Sequence, residues 1–87
     1  SHYNLMQNYP NPFNPSTNIE YIVPENSFVT LKVYNQLGQE ISVLVNAIKN
    51  KGRYNVTWSA GSAPSGIYYY KITAGNFSDV KKMILMK

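Results

Sequence analysis

Ile67-Tyr68-Tyr69-Tyr70-Lys71-Ile72-Thr73 is the stretch that decides the fold. In an extended chain successive side chains point to opposite faces. Tyr68, Tyr70 and Ile72 therefore share one side, and Tyr69, Lys71 and Thr73 share the other. The first set is expected to be buried: tyrosine brings bulk to a thin core while its hydroxyl reaches the rim to find a partner. A helix would need apolar residues at i, i+3, i+4 and i+7, and no window of the chain has them.

The same period of two runs outward in both directions. On the N-terminal side, Tyr54, Val56 and Trp58 alternate with Arg53, Asn55 and Thr57, after a polar turn at Asn50-Lys51-Gly52. Earlier still, Ile41, Val43 and Val45 alternate over residues 40–45, and Val29, Leu31 and Val33 alternate with Thr30 and Lys32. These two segments are joined by Asn35-Gln36-Leu37-Gly38-Gln39, whose Asn and Gly suit the tight turn of a hairpin. Ile19, Tyr21 and Val23 share a face before Pro24 stops their strand. On the C-terminal side, Ala74-Gly75-Asn76-Phe77 turns into a last strand, residues 79–86, where Met83 and Leu85 oppose Lys82. Six strands are marked, and residues 3–7 supply a seventh. Short strands at intervals of roughly 8 to 12 residues, broken by Gly, Pro and Asn, predict an all-β antiparallel sandwich with Trp58 and the inward tyrosines between two sheets.

Composition agrees with a folded body and excludes most chemistry. At 87 residues the chain is one domain, and at that size folding buries only about 60 to 65% of the unfolded surface. Its 14% aromatic residues, eight of them tyrosine, supply the dense core required. With no cysteine, neither a disulfide nor a thiolate metal site is available. The single histidine, His2, sits at the terminus, so no nucleophile has a base beside it. The four acids, Glu20, Glu25, Glu40 and Asp79, read as surface residues rather than as a carboxylate pair or a metal cluster. The Ser/Pro loop holding Gly61 and Gly66 lacks the Lys-Ser/Thr ending of a phosphate loop. No enzyme, cofactor or metal is expected. The net charge of +4 is concentrated late in the chain, in Lys71, Lys81, Lys82 and Lys87. Lysine on strand edges discourages unwanted pairing, and Arg53 as the only arginine argues against nucleic acid. No apolar run reaches 18 residues, so no helix spans a membrane. No export peptide opens the chain; one would belong to a longer precursor. Ser1-His2 reads as a remnant of a cloning vector.

Asn8-Tyr9-Pro10-Asn11-Pro12-Phe13-Asn14-Pro15-Ser16-Thr17 differs from all that follows. Each proline fixes its own φ and keeps the residue before it out of the helical region, which predicts a stiff, extended stretch. Asn11 and Asn14 can bend it by bonding their own backbone. Tyr9 and Phe13 together favour a segment packed on the edge of the sandwich over a free linker, which needs neither. The domain is thus expected to span residues 3–87, with a Pro/Asn-rich opening segment at 8–17 and sandwich strands over 18–87.

Three blocks carry a resemblance: the opening segment 8–17, the hairpin region Val29-Thr30-Leu31-Lys32-Val33-Tyr34-Asn35-Gln36-Leu37-Gly38-Gln39-Glu40, and Ser65-Gly66-Ile67-Tyr68-Tyr69-Tyr70-Lys71-Ile72 followed by Lys81-Lys82-Met83-Ile84-Leu85-Met86-Lys87. Together they resemble the type A C-terminal sorting domain of the bacterial type IX (Por) secretion system. The resemblance implies an immunoglobulin-like sandwich of about seven strands that works as a folded export label. It implies a larger precursor with N-terminal cargo domains, recognition by outer-membrane translocon components, and removal by a sortase-like signal peptidase. The cargo would end secreted or on the cell surface, having passed the periplasm and the outer membrane.

Carried over by position, Pro10, Asn11, Pro12, Gly38, Gly66 and Tyr68 define the fold, with Gly38 and Gly66 serving turns. Lys81, Lys82, Met83, Ile84, Leu85, Met86 and Lys87 form the recognised strand. That strand is expected to offer a free sheet edge for main-chain hydrogen bonds and lysines for steering; alternatively, Met83 and Leu85 complete the core. Exposed edges would also permit a strand-swapped homodimer. The competing function is an immunoglobulin-like adhesion or carbohydrate-binding module at the end of a secreted protein, with Tyr69 as its outward ring.

Overall fold

The computed structural model describes residues 2–87, so of the pair Ser1-His2 the first lies outside the described residues. Among the described residues seven strands follow one another without a helix: β1 (Asn4–Leu5), β2 (Ser16–Val23), β3 (Ser27–Tyr34), β4 (Glu40–Lys49), β5 (Gly52–Ser59), β6 (Gly66–Ala74) and β7 (Phe77–Leu85). They form two antiparallel sheets, one ordered β1-β2-β5 and the other β4-β3-β6-β7. This is an immunoglobulin-like sandwich in which the fourth strand pairs with the third rather than joining the first sheet, as it does in constant-type domains.

The alternation read from sequence sets the register. Across β2 and β5, Ile19 faces Val56, Tyr21 faces Tyr54 and Thr17 faces Trp58. Across β3 and β6, Val29, Leu31 and Val33 face Ala74, Ile72 and Tyr70. Directly opposed residues in an antiparallel pair point to the same side, so these rungs build two apolar faces that close on each other. Ile19, Tyr21, Val29, Leu31, Val33, Tyr70, Ile72, Met83 and Leu85 are all buried. Two inward tyrosine hydroxyls find partners at the rim: Tyr70 Oη donates to Met6 O at 2.7 Å and Tyr68 Oη to Pro64 O at 2.5 Å. The second of these, a strand tyrosine bonding a carbonyl a few residues upstream, has the form of the tyrosine corner of such sandwiches.

β4 departs from its expected phase. Of Ile41, Val43 and Val45, only Val45 is buried, at 9% exposure against 42% and 48% for the other two. The cause is two register slips, opposite Leu31/Lys32 and opposite Val33/Tyr34. Each inserts an additional residue into β4 and flips the side that follows it. Leu44 packs against the core instead. The strand also runs on to Lys49, well beyond the alternating run.

The opening segment packs as a body part and not as a linker, although it does not run straight. Tyr9 bridges Asn18 of β2, and Phe13 bridges Leu85 of β7 in parallel, so the segment crosses from one sheet to the other. Phe13 is the anchor, 2% exposed, whereas Tyr9 is 79% exposed and anchors nothing. Asn11 does not bend its own backbone: its Oδ1 accepts from Ile84 N at 3.0 Å. The bend is made by Asn8, which is buried, with Nδ2 donating to Pro10 O (3.1 Å) and Thr17 Oγ1 (2.9 Å) while Thr17 Oγ1 donates to Pro10 O (2.7 Å).

Candidate functional site

Hydrogen bonds bring three far-separated parts of the chain to one end of the sandwich. Phe13 N donates to Ile84 O (2.9 Å) and Met86 N donates to Phe13 O (3.0 Å), which locks the opening segment along the outer edge of β7. Gln7 Nε2 adds a bond to Lys82 O at 2.7 Å. From the other side, Ala60 N donates to Pro15 O (2.9 Å), tying the β5–β6 loop to the same segment. Lys87 closes the arrangement: its N donates to Ser65 Oγ (2.9 Å) and its Nζ to Gly61 O (2.8 Å). Beneath, Phe13 meets Trp58 edge-on at 5.8 Å between centroids, and Trp58 meets Tyr68 at 5.4 Å.

The β3–β4 turn shares this end. Asn35 Oδ1 accepts from Leu37 N (2.9 Å) and Gln39 N (3.0 Å), and Gly38 N donates to Asn35 O (3.0 Å). Gly38 is needed there because its φ of +85° lies where a side chain is strained. Gly66 stands where the loop enters β6, paired with Leu85 and with a φ of +156°, while the loop itself bends at Gly61. An open groove of about 520 Å³ runs between the turn and the loop, lined by Asn35, Ile41, Ser42, Trp58, Pro64 and Tyr68.

The residues expected to form the recognised strand divide by strand phase. Met83 and Leu85 are core, fully buried. Lys81 is half-buried on the inner side, 3.8 Å from Asp79. Ile84 lies half-buried on the outer face, paired with Ile67. Lys82, Met86 and Lys87 stand on the surface. The free edge expected of β7 is not free, because Gln7, Asn11 and Phe13 cover it from Lys82 to Met86, and Val80 N is capped by Asp79 Oδ1 at 2.8 Å. The sheet edges without a neighbouring strand there are those of β4 and β5. Gln7, Asn8, Gly61 and Ser65 were not singled out from sequence. The only sign of them was a polar residue placed beside prolines or within a Ser/Gly loop.

Carboxylates are spread over the surface in pairs with cations: Glu20 with Arg53 (2.8 Å), Glu40 with Lys32 (3.1 Å) and Asp79 with Lys81. Among the described residues no group of three His, Cys, Asp or Glu could hold a metal. Three titrations are displaced: the hydrogen bond to Glu40 raises Lys32, and the other two belong to buried phenols. Burial pushes Tyr70 up to about 12, and burial with Tyr54 beside it raises Tyr21. Both changes keep a hydroxyl neutral in the core and have no bearing on catalysis.

No curated protein matches the chain. The family model described as the secretion system C-terminal sorting domain matches residues 7–86, from the glutamine that bonds Lys82 to the methionine that bonds Phe13. The adhesion or carbohydrate-binding reading gains nothing from that match. Such domains mark proteins for export through the outer membrane to the cell surface or the medium. Since the match takes in both the opening segment and the strand it clamps, the chain belongs to the C-terminal sorting domain family and is the sorting signal by which the type IX system exports a larger precursor.

Proposed function

We propose that the translocon reads the end of the sandwich where the opening segment, the β5–β6 loop and the last residues meet, and that Lys82, Met86 and Lys87 are the side chains it touches. The observation carrying this reading is the bond pair between Phe13 and the backbone of Ile84 and Met86. It holds the lysines in fixed places on a folded body, so they are available only once the domain has folded. Residues 3–87 then act as one sorting unit in which residues 8–17 are an integral part. Ile84, Met83 and Leu85 serve recognition indirectly, by seating the strand. Lys81, bound to Asp79, has the weakest claim to contact a partner.

The domain is a passive label on this reading and performs no catalysis. Three of its carboxylates are engaged in ion pairs, and its one histidine is terminal. A sortase-like peptidase removes it from the N-terminal cargo after passage. A strand-swapped homodimer would form through the edges of β4 or β5, and size exclusion over a concentration series would detect it.

The test is charge reversal with stability measured in parallel. Lys82→Glu and Lys87→Glu, in the full chain fused behind a periplasmic reporter in a host with this secretion system, should leave Tm within a few degrees and abolish the extracellular signal. Lys82 is exposed and outside any ion pair, and Lys87→Glu gives up one exposed hydrogen bond to Gly61 O, so each change costs little. Normal export by both variants would remove the reading.

A further inference from the structure

We propose that the outer face of the four-stranded sheet docks an acidic protein surface, with Lys71 at the centre of the contact. This rests on the sorting-signal reading and adds to it a second face and a partner chemistry. The rung across the middle of that face runs Val43, Lys32, Lys71, Val80, and the next runs Glu40, Tyr34, Tyr69, Lys82. Lys32 and Lys71 are directly opposed on neighbouring strands, an arrangement that destabilises a sheet. Glu40 compensates Lys32 at 3.1 Å, but neither Lys71 nor Lys82 has a carboxylate in ion-pair reach among the described residues.

The tyrosines point the same way. Tyr3, Tyr54, Tyr68 and Tyr70 each bond another group through Oη, whereas the Tyr34 and Tyr69 hydroxyls, like those of Tyr9 and Tyr21 away from this face, make no side-chain hydrogen bond within the described residues. A face that keeps a repelling lysine pair beside two unengaged phenols is suited to a partner bringing carboxylates and acceptors. Tyrosine beside them adds contact area of the kind enriched at protein interfaces. A glycan platform would hold its rings clear of the surface, while Tyr34 and Tyr69 are half-buried among their strand neighbours. Four strands at about 4.8 Å by eight residues at about 3.3 Å give roughly 500 Å². That is less than the roughly 800 Å² per partner of a lasting complex, and suits a partner that must let the label go.

Lys71→Glu tests it, because Lys71 lies outside the terminal contact proposed above. In the reporter fusion, Lys71→Glu should keep or slightly raise Tm, since it turns a repulsion with Lys32 into an attraction, while the extracellular signal falls at least fivefold. Lys71→Arg should export normally. Undiminished export by Lys71→Glu with Tm intact overturns the inference. If in that case Lys87→Glu still abolishes export, the terminal reading stands alone. The opposite pattern, loss with Lys71→Glu and not with Lys87→Glu, keeps the face and removes Lys87 from the terminal contact. Retention on an alginate column that Lys71→Glu abolishes, with export unchanged, would assign the face to acidic polysaccharide and overturn the protein partner.

Discussion

Phe13→Ala should loosen the opening segment from the body without unfolding the sandwich. Phe13 is 2% exposed and packs edge-on against Trp58. A buried phenylalanine removes about 150 to 250 Å² from water, which at about 25 cal/mol per Å² comes to roughly 4 to 6 kcal/mol. The segment can lift away when its anchor is cut, so no rigid cavity is left behind, and the loss should fall near the low end of the usual range, about 3 kcal/mol. A domain of this size holds about 4 to 13 kcal/mol in total, so the variant remains folded at room temperature.

Urea unfolding followed by Trp58 fluorescence measures the loss. Hydrogen exchange then locates it: the Ile84 and Met86 amides, bonded to Asn11 and Phe13, should lose protection before those of β3. Trp58 emission should also shift to the red in the native variant, as its contact with Phe13 is replaced by water. A loss under about 1 kcal/mol, with Ile84 and Met86 as protected as in the parent, would refute the reasoning. Phe13 would then be a passenger on a segment held by its backbone alone.

Alkali should unfold the domain in a defined window. The pKa of Tyr70 is raised from the unfolded value of 10.0 to about 12, so its contribution is complete below pH 10 and is lost as pH climbs from there to 12, on the order of 2 kcal/mol. Tyr70→Phe should flatten that part of a pH series of urea midpoints, and an unchanged slope would assign the fall to other groups. Asn8→Ala leaves Thr17 and Pro10 short of a buried partner, and should cost about 1 to 3 kcal/mol by thermal denaturation. Gly75→Ala should cost more than Gly38→Ala. Both glycines have positive φ, but only at Gly75 would a new Cβ meet something, Tyr3 Oη at 3.0 Å, where Gly38 has open space. Tyr3→Phe added to Gly75→Ala should recover part of the difference, and equal Tm values for the two single variants would count against the contact.

What sequence reading could reach follows from the range of the interaction. Tyr68, Tyr70 and Ile72, or Val29, Leu31 and Val33, were legible because period two is a local property, and the burial of each is settled within its own strand. Phe13 was legible as an apolar ring where a linker has no use for one, but Tyr9 satisfied the same argument and lies in solvent. β4 misled because a bulge arises from mismatch between two strands. Nothing in residues 40–45 alone says that the partners of Leu31 and Lys32 are two residues apart. The edge of β7 misled for a related reason: its cover comes from residues some seventy positions earlier, through backbone atoms of Phe13 and one amide of Asn11, and backbone pairing of that range leaves no pattern in composition.

The parallel run of the opening segment beside β7 bears on how the domain withstands tension. A cargo tethered upstream pulls Phe13 toward its own N-terminal direction, while a machine gripping the last residues pulls Leu85 the other way. In a parallel pair these forces lie along the strands, so the Phe13–Ile84 and Met86–Phe13 bonds are sheared together instead of being peeled one at a time. Forced unfolding is governed by the height of a barrier and not by equilibrium stability. A small sandwich of ordinary stability can thereby stay shut while it is towed.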